Sequence, residues 1–168
     1  AEQSCGAHNV LALTNSLEVA SGQTTERVLM LARIKHALDA GQFHLYAQPI
    51  QKADGSGYYE ILTRMESEGE IITPDRFIPL IAQFKLSHRF DMCVMEKLLV
   101  WLRDHPATHA GVRFSVNLMP LTLMQKEVAI EICSLFERYG VAPQAVVIEL
   151  TEEQALSNSG SSIKNIPQ

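Results

Sequence analysis

The sequence is short of the residue types that mark several common protein classes. Its three cysteines, Cys5, Cys93 and Cys133, lie far apart and show no CxxC or zinc-type spacing. An odd, scattered set of this kind indicates reduced thiols in a cytosolic setting, not a disulfide framework or a zinc module. The six histidines show no HExxH or paired spacing, so none of them is expected to bind a metal.

An excess of basic residues and long apolar runs are also lacking. Fourteen Lys and Arg residues stand against nineteen Asp and Glu residues, which gives a formal net charge of -5. This balance argues against general attraction to a nucleic acid polymer or an anionic membrane, although a local arginine site for a phosphate stays open. There is no signal peptide and no run of eighteen apolar residues. We therefore expect a cytoplasmic domain, which still permits a parent protein that other domains anchor to the inner membrane.

The strongest positive signal is a set of three polar residues, each on a short apolar strand. Glu60 lies in YYEILTRM, Asn117 in VRFSVNL and Glu149 in AVVIEL. A carboxylate inside an apolar strand is costly to desolvate unless it is paired or binds a cation. Because side chains alternate across a sheet, each strand has one apolar face and one polar face, and Arg64 shares the face of Glu60. The pattern predicts helices outside a sheet and one shared site inside it.

The first half of the chain predicts a helix followed by an antiparallel strand pair. Thr24 or Thr25 can cap the helix, and Gly41 suits the left-handed position after its end. The segment Asp54-Gly55-Ser56-Gly57 between two apolar runs is a hairpin signal, so the strand from Phe43 to Ile50 should be antiparallel to the strand that contains Glu60. The apolar stripe of the helix is predicted to consist of Val28, Leu31, Ile34 and Leu38.

Two further helices are predicted between residues 73 and 104. Thr73-Pro74 opens the first, with proline at its first position, and the second runs from about Arg89 to Asp104. Phe77, Leu80, Ile81 and Phe84 are expected to be buried on the first helix, and Val94, Leu98, Trp101 and Leu102 on the second.

The remaining pattern predicts an α/β unit with parallel strands. A strand over 112–118, a helix over 122–139 that Gly140 ends, and a strand over 145–150 read as a right-handed crossover. Asn117 and Glu149 lie near the ends of their strands, where parallel sheets bind ligands. Both residues are therefore expected at the same edge of the sheet.

Five sequence blocks, in this order and at these intervals, resemble the EAL domain, a family of cyclic di-GMP phosphodiesterases. They are FHLYAQPI, YYEILTRM, TPDRFIPLIAQ, FSVNL and IELTEE, and the resemblance runs from about Ala37 to about Leu156. Each block alone is weak, whereas the ordered set is specific. The Glu-Ala-Leu motif of the family reads Glu60-Ile61-Leu62 here, and the change at Ile61 falls on the helix-packing face.

The resemblance implies an incomplete TIM-type (β/α) barrel whose first strand is antiparallel and whose later strands are parallel. It also implies the roles of six residues. By their match to the family motifs, Glu60, Asn117 and Glu149 are metal ligands, Gln48 and Arg64 contact the substrate, and Glu152 is a loop-supporting acid of the catalytic set. Carboxylate and amide oxygens suit Mg²⁺ or Mn²⁺ better than zinc.

The same resemblance implies metal-dependent hydrolysis of cyclic di-GMP to the linear dinucleotide pGpG, which is the activity of a cyclic-guanylate-specific phosphodiesterase. Cyclic di-GMP is the expected partner, together with an upstream signalling domain in the parent protein and a homo-oligomer. A complete barrel of this type takes about 250 residues. The 168 residues can supply only part of such a barrel, so we interpret residues 24–168 as the N-terminal portion of an EAL domain, truncated before the family's Asp-Asp-Phe-Gly block. This portion alone is expected to be inactive. Residues 1–23 show no clear periodicity and are interpreted as a linker or appended tail.

Two other functions stay open at the level of the sequence. One is a degenerate EAL module that binds cyclic di-GMP or a protein partner without cleaving it, and the other is an α/β scaffold with no nucleotide role. Simpler explanations also exist for single residues. Glu60 could face water at a sheet edge, Asn117 could turn the chain before Pro120, Arg64 could be a surface cation, and Gln48 an ordinary end-of-strand residue.

Overall fold

The computed structural model describes the backbone of residues 4–106 and 111–149, and side chains from residue 22 onward within those ranges. Glu152 lies outside the described residues. Within the described part, no helix is both long enough and apolar enough to cross a membrane. Cys93 and Cys133 are free thiols, as their spacing predicted.

Five strands form one mixed sheet. The strands are β1 (Phe43–Gln51), β2 (Gly57–Ser67), β3 (Glu70–Ile72), β4 (Phe114–Asn117) and β5 (Val146–Glu149). Their order is β1-β2-β4-β5, and β3 pairs with the end of β2. The strands β1 and β3 run antiparallel to β2, whereas β2, β4 and β5 are parallel to one another. The predicted antiparallel pair and parallel crossover are thereby confirmed.

Helices pack on one face of this sheet. They are α1 (Ser4–Ala40), α2 (Pro74–Gln83), α3 (Ser87–Asp104), α4 (Pro120–Leu123) and α5 (Val128–Tyr139). The helix α1 contacts α2 and β2, while α3 lies against β1, α4 and α5. The sheet contributes Ile61, Met65, Phe114 and Val116 to the core, each no more than 7% exposed. The alternation of apolar residues along the strands therefore identified the helix-packing face.

The first helix starts much earlier than the sequence indicated. Capping at Thr24 or Thr25 is wrong, because the helical backbone already begins at Ser4 and passes through both residues without a break. A threonine caps a helix only where the preceding backbone leaves the helical conformation. The predicted stripe holds in part, since Ile34 and Leu38 are buried while Val28 is 59% exposed. Gly41 follows the helix with a φ of 67°, in the left-handed region as expected.

The second and third helices occur nearly where they were predicted, with two errors in their buried faces. Thr73 is the N-cap of α2 and Pro74 its first residue. Phe84 is 42% exposed because it lies at the C-cap of α2, beyond the buried stripe. Trp101 on α3 is also wrong as a core residue, since it is 38% exposed.

Two elements between β2 and β5 differ from the prediction. The strand β3 was not predicted, and it follows a tight turn with Glu68 at φ 53° and Gly69 at φ 78°. The single helix expected over 122–139 is two helices, because α4 begins at Pro120 and ends at Leu123, and α5 begins at Val128. Gly140 ends α5 in the left-handed conformation, as predicted.

Candidate functional site

Strand register brings the predicted ligand residues to neighbouring positions on one face of the sheet. Gln48 on β1 lies opposite Glu60 on β2, Glu60 lies beside Ser115 on β4, and Asn117 lies beside Glu149 on β5. Adjacent strands are about 4.8 Å apart, and residues two apart on one strand share a face. Glu60, Asn117 and Glu149 therefore converge on the face opposite the helices, although 89 residues separate the first from the last in sequence.

A direct hydrogen bond joins two of these side chains. Asn117 Nδ2 donates to Glu60 Oε1 at 2.9 Å. Because a carboxylate only accepts hydrogen bonds, this contact assigns the amide nitrogen of Asn117 to Glu60. The amide carbonyl oxygen of Asn117 is then available as a further oxygen ligand. Glu60 and Glu149 are half-buried and Asn117 is exposed, so a solute can reach all three.

The charge at this position is negative. Within the part of the chain that the structure describes, neither Glu60 nor Glu149 forms a salt bridge with a lysine or arginine. The described residues also contain no cluster of three or more His, Cys, Asp or Glu side chains that could bind a metal. The third oxygen donor of the site is thus an amide, Asn117, and the site carries two carboxylates. Such a set fits a hard divalent cation.

Tyr58 belongs to this surface, although the sequence did not single it out as a functional residue. It lies two residues before Glu60 on the same face of β2. Desolvation raises the pKa of Tyr58, and the charge of Glu149 and hydrogen bonding to its carboxylate raise the pKa further, followed by the charge of Glu60. A phenol whose pKa is raised stays protonated and can donate to a carboxylate. Strand parity placed Tyr58 on this face, but its proximity to Glu149 depends on the pairing of β4 with β5.

On the same face of the sheet, next to Glu149, lies a small cavity of about 140 Å³. Lys52, Tyr58, Arg113, Val147 and Glu149 line it. Two of the lining side chains are cationic, which places positive charge near Glu149 without a salt bridge to it. The cavity therefore continues the polar face of the sheet toward the amino-terminal ends of β4 and β5.

Arg64 and Gln48 lie on the same face but are not bonded to the ligand residues. Arg64 is four residues beyond Glu60 on β2, and its Nη1 donates to the Thr63 carbonyl at 2.7 Å. Its guanidinium carbon lies 5.9 Å from the centre of the Tyr46 ring, which is a cation–π distance. Gln48 is exposed directly opposite Glu60. Both side chains thus flank Glu60, one along β2 and one across to β1.

Comparison with known sequences identifies relatives along the whole chain. A sequence model of the EAL domain matches residues 31–167. The chain is 59% identical over 168 residues to the probable cyclic di-GMP phosphodiesterase PdeA of Escherichia coli K12, which covers 100% of this chain and 23% of that protein. It is 37% identical over 134 residues to the cyclic di-GMP phosphodiesterase PdeF of the same organism, covering 79% of this chain and 18% of that protein. The chain therefore spans about a fifth of the length of these two relatives.

Solved structures show the same fold at lower sequence identity. The EAL domain of Xanthomonas citri FimX, in complex with c-diGMP, aligns with a TM-score of 0.72 at 18% identity, over 82% of this chain and 54% of that one. The PaMucR phosphodiesterase in its c-di-GMP complex aligns with a TM-score of 0.71 at 24% identity, over 79% of this chain and 55% of that one. The described strands and helices are thus those of part of a TIM-like barrel that starts with an antiparallel pair. Since the EAL model matches most of the sequence, the chain belongs to the EAL domain family.

Proposed function

We propose that the protein containing this chain is a metal-dependent phosphodiesterase that hydrolyses cyclic di-GMP to pGpG. One observation carries the proposal: Asn117 donates to Glu60 and lies in register with Glu149, so three oxygen-bearing side chains meet on the open face of the sheet. The 59% identity to a probable cyclic di-GMP phosphodiesterase supports the choice of substrate. The absence of a membrane-spanning helix among the described residues is compatible with a cytoplasmic site for the reaction.

Glu60, Asn117 and Glu149 are the residues that would bind the metal, as Mg²⁺ or Mn²⁺. A divalent cation would be attracted to both Glu60 and Glu149, neither of which forms a salt bridge with a lysine or arginine in the described part of the chain. Such an ion, held by these three residues, would supply Lewis-acid chemistry, because a bound divalent cation polarises phosphate oxygens and makes water more acidic. The chain holds the three ligands on three adjacent strands, and the hydrogen bond between Asn117 and Glu60 orients two of them in advance.

Arg64 and Gln48 are the proposed substrate contacts. One guanidinium nitrogen of Arg64 is already bonded to the Thr63 carbonyl, which fixes the direction of the side chain. The guanidinium group has five N–H donors, so its remaining donors can bind a phosphate. Gln48, exposed opposite Glu60, can donate to the nucleotide from its amide. Glu152 keeps its predicted loop-supporting role as a proposal, because it lies outside the described residues.

The test is Glu60→Gln in the full-length protein, compared with Glu66→Gln. Both glutamates lie on the same face of β2, but Glu66 pairs with His44 at 2.8 Å, away from the site. We expect Glu60→Gln to lower the rate of pGpG formation and the Mn²⁺ affinity by about a hundredfold, because it keeps the shape and removes a ligand charge. Glu66→Gln should leave both unchanged. Chromatography of the products and calorimetric titration with Mn²⁺ give the two readouts, and wild-type values for Glu60→Gln would refute the proposal.

A module that binds cyclic di-GMP without cleaving it is the second candidate. The likeness to a FimX EAL domain solved with c-diGMP favours binding by this fold, independently of chemistry. Equilibrium binding of cyclic di-GMP by the full-length protein, with no pGpG formed in the presence of Mn²⁺, would support this candidate over the enzyme.

A further inference from the structure

A buried carboxylate on α3 has no part in the proposed chemistry. Asp91 is 1% exposed, and its Oδ2 accepts a hydrogen bond from the Met119 backbone N–H at 2.8 Å. Met119 lies two residues after Asn117, past the end of β4, and is the N-cap of α4. Because β4 ends at Asn117, the N–H of Met119 lies beyond the strand ladder and is taken by this carboxylate instead. Asp91 thus holds the chain at the point where β4 becomes α4.

The junction that Asp91 holds is otherwise built from local backbone bonds. The Met119 carbonyl accepts hydrogen bonds from the N–H groups of Thr122 and Leu123, at 3.0 and 3.2 Å. Pro120 follows Met119 and has no N–H of its own. Thr122 is fully buried, and its hydroxyl lies near the Asp91 carboxyl. The bond from Met119 to Asp91 is therefore a polar contact that ties this junction to α3.

A carboxylate is an expensive acceptor for this purpose. Desolvation raises the pKa of Asp91 to about 6, against lowering contributions from Thr122, Met119 and His88. A neutral hydroxyl or amide could accept the same N–H without burying a charge. A hydrogen bond to a charged acceptor is, however, shorter and stronger than one between neutral groups. The charged form of Asp91 therefore strengthens the bond to Met119 while burial of the charge costs stability.

We infer that Asp91 is a positioning residue: by holding Met119 it fixes the end of β4 and keeps the Asn117 amide in place to bond Glu60 and bind the metal. This inference rests on the proposed metal site. The path is short: one hydrogen bond joins Met119 N to Asp91 Oδ2, and two residues of backbone lead from Met119 back to Asn117, whose Nδ2 lies 2.9 Å from Glu60 Oε1. Residues that support metal ligands from outside the coordination shell typically change metal affinity or activity 10- to 100-fold when they are mutated.

The experiment compares Asp91→Ala, Asp91→Asn and Leu99→Ala in the full-length protein. Asparagine keeps an acceptor oxygen at the same place, whereas alanine removes it. Leu99→Ala is the matched control, because Leu99 is fully buried on the same helix, two turns away from Asp91, and its truncation destabilises α3 while leaving the hydrogen bond from Met119 to Asp91 in place. The readouts are Mn²⁺ affinity by calorimetry, kcat and KM for cyclic di-GMP, and the thermal unfolding temperature.

Asp91→Ala should weaken Mn²⁺ binding about tenfold and lower kcat by a similar factor, with KM nearly unchanged, because Asn117 serves the metal and not the nucleotide. Asp91→Asn should stay within about threefold of the wild type on both measures. Leu99→Ala should lower the unfolding temperature while leaving Mn²⁺ affinity intact. The inference is wrong if folded Asp91→Ala binds Mn²⁺ like the wild type, if Asp91→Asn loses as much as Asp91→Ala, or if Leu99→Ala loses as much affinity.

Two further outcomes can be told apart from a failure of the inference: a folding defect of Asp91→Ala and a failure of the proposed function. If Asp91→Ala does not fold, Met119→Pro deletes the donor instead, and the φ of -72° at Met119 permits proline; wild-type Mn²⁺ affinity in that variant would overturn the inference, and a tenfold loss would support it. If the wild-type protein binds Mn²⁺ but does not cleave cyclic di-GMP, the proposed function fails while the Mn²⁺ titrations still decide the role of Asp91. If it binds no Mn²⁺, both fail together.

Discussion

Tyr58 and Tyr59 are adjacent residues with opposite surroundings, which makes them a matched pair for mutation. The pKa of Tyr58 is raised by burial and by the carboxylate of Glu149, whereas the Tyr59 ring stacks on Phe114 at 5.8 Å on the helix face. We expect Tyr58→Phe to lower kcat and Mn²⁺ affinity by about tenfold, because it removes a donor to a proposed ligand. Tyr59→Phe keeps its ring and should change neither. Equal effects of the two substitutions, measured by product chromatography and Mn²⁺ titration, would contradict the place of Tyr58 at the site.

The buried carboxyl of Asp91 also predicts how the free energy of unfolding depends on pH. Burial raises its pKa from 3.8 to about 6, so the charged form is disfavoured in the folded state. The contribution of the Asp91 carboxyl to the free energy of unfolding is therefore fully present below about pH 4 and is lost as the pH rises through about 6. Asp91→Asn removes this titration. In urea denaturation, the free energy of unfolding of the Asp91→Asn variant, relative to that of the wild type, should therefore rise by about 2 kcal/mol between pH 4.5 and 7.

The control for that measurement is Asp104→Asn on the same helix. Asp104 is exposed at the end of α3, and hydrogen bonding to Arg103 lowers its pKa. A group with a lowered pKa makes the free energy of unfolding change with pH in the opposite direction, because its contribution is present at high pH and is lost as the pH falls. A flat difference for Asp91→Asn would show that Asp91 is not desolvated as the structure indicates, and a rise with pH for Asp104→Asn would show that the effect is not specific to Asp91.

At the scale of elements, Arg33 forms a polar link between the long helix α1 and the end of the site-bearing strand β2. Arg33 Nε donates to Ser67 Oγ at 2.9 Å, and its Nη2 donates to Glu70 Oε2 at 3.1 Å. Glu70 also accepts from Arg76 of α2 at 2.6 Å, so the turn between β2 and β3 joins two helices. The Arg33 side chain is only 23% exposed, in contrast to the ordinary surface pair that Arg27 makes with Gln83.

Arg33→Ala should therefore cost about 1 kcal/mol of unfolding free energy, because the network is partly screened by solvent, and should increase amide exchange in the second half of α1. Arg27→Ala is the control on the same helix and should cost less than about 0.5 kcal/mol. Chemical denaturation and hydrogen exchange provide the measurements. Protection of α1 that stays the same in Arg33→Ala would mean that apolar packing at Ile34 and Leu38 alone holds the helix.

The elements that the sequence predicted are those with a repeated physical signal. Alternation identified the faces of β2, β4 and β5, and with it the common face of Glu60, Asn117 and Glu149. The three residues of β3 are too few to show alternation. Glu68, in the turn before β3, adopts a left-handed backbone conformation that its residue type does not predict. The break between α4 and α5 was missed because residues 124–127 contain neither glycine nor proline. The role of Asp91 depends on a contact across 28 residues, which no local pattern contains.

At the scale of the whole molecule, the sheet order leaves two edges. In the described part of the chain, β1 and β5 are the terminal strands, and Val147 and Ile148 of β5 are 40% and 37% exposed. Beside β1, a cavity of about 340 Å³ is lined largely by apolar side chains, among them Phe43, Leu45 and Trp101. Unpaired strand edges with apolar neighbours recruit other strands.

We therefore expect the isolated polypeptide of residues 1–168 to self-associate at micromolar concentration, through its open edges or through exchange of a strand between copies. Light scattering coupled to size exclusion measures the mass directly. Ile148→Lys places a charge on the exposed edge strand and should shift the distribution toward the monomer, whereas Ile130→Lys, on the exposed face of α5, should not, although Ile130 is 69% exposed. A wild-type polypeptide that stays monomeric and unfolds cooperatively at that concentration would contradict the prediction, because the open edges would then recruit no second copy.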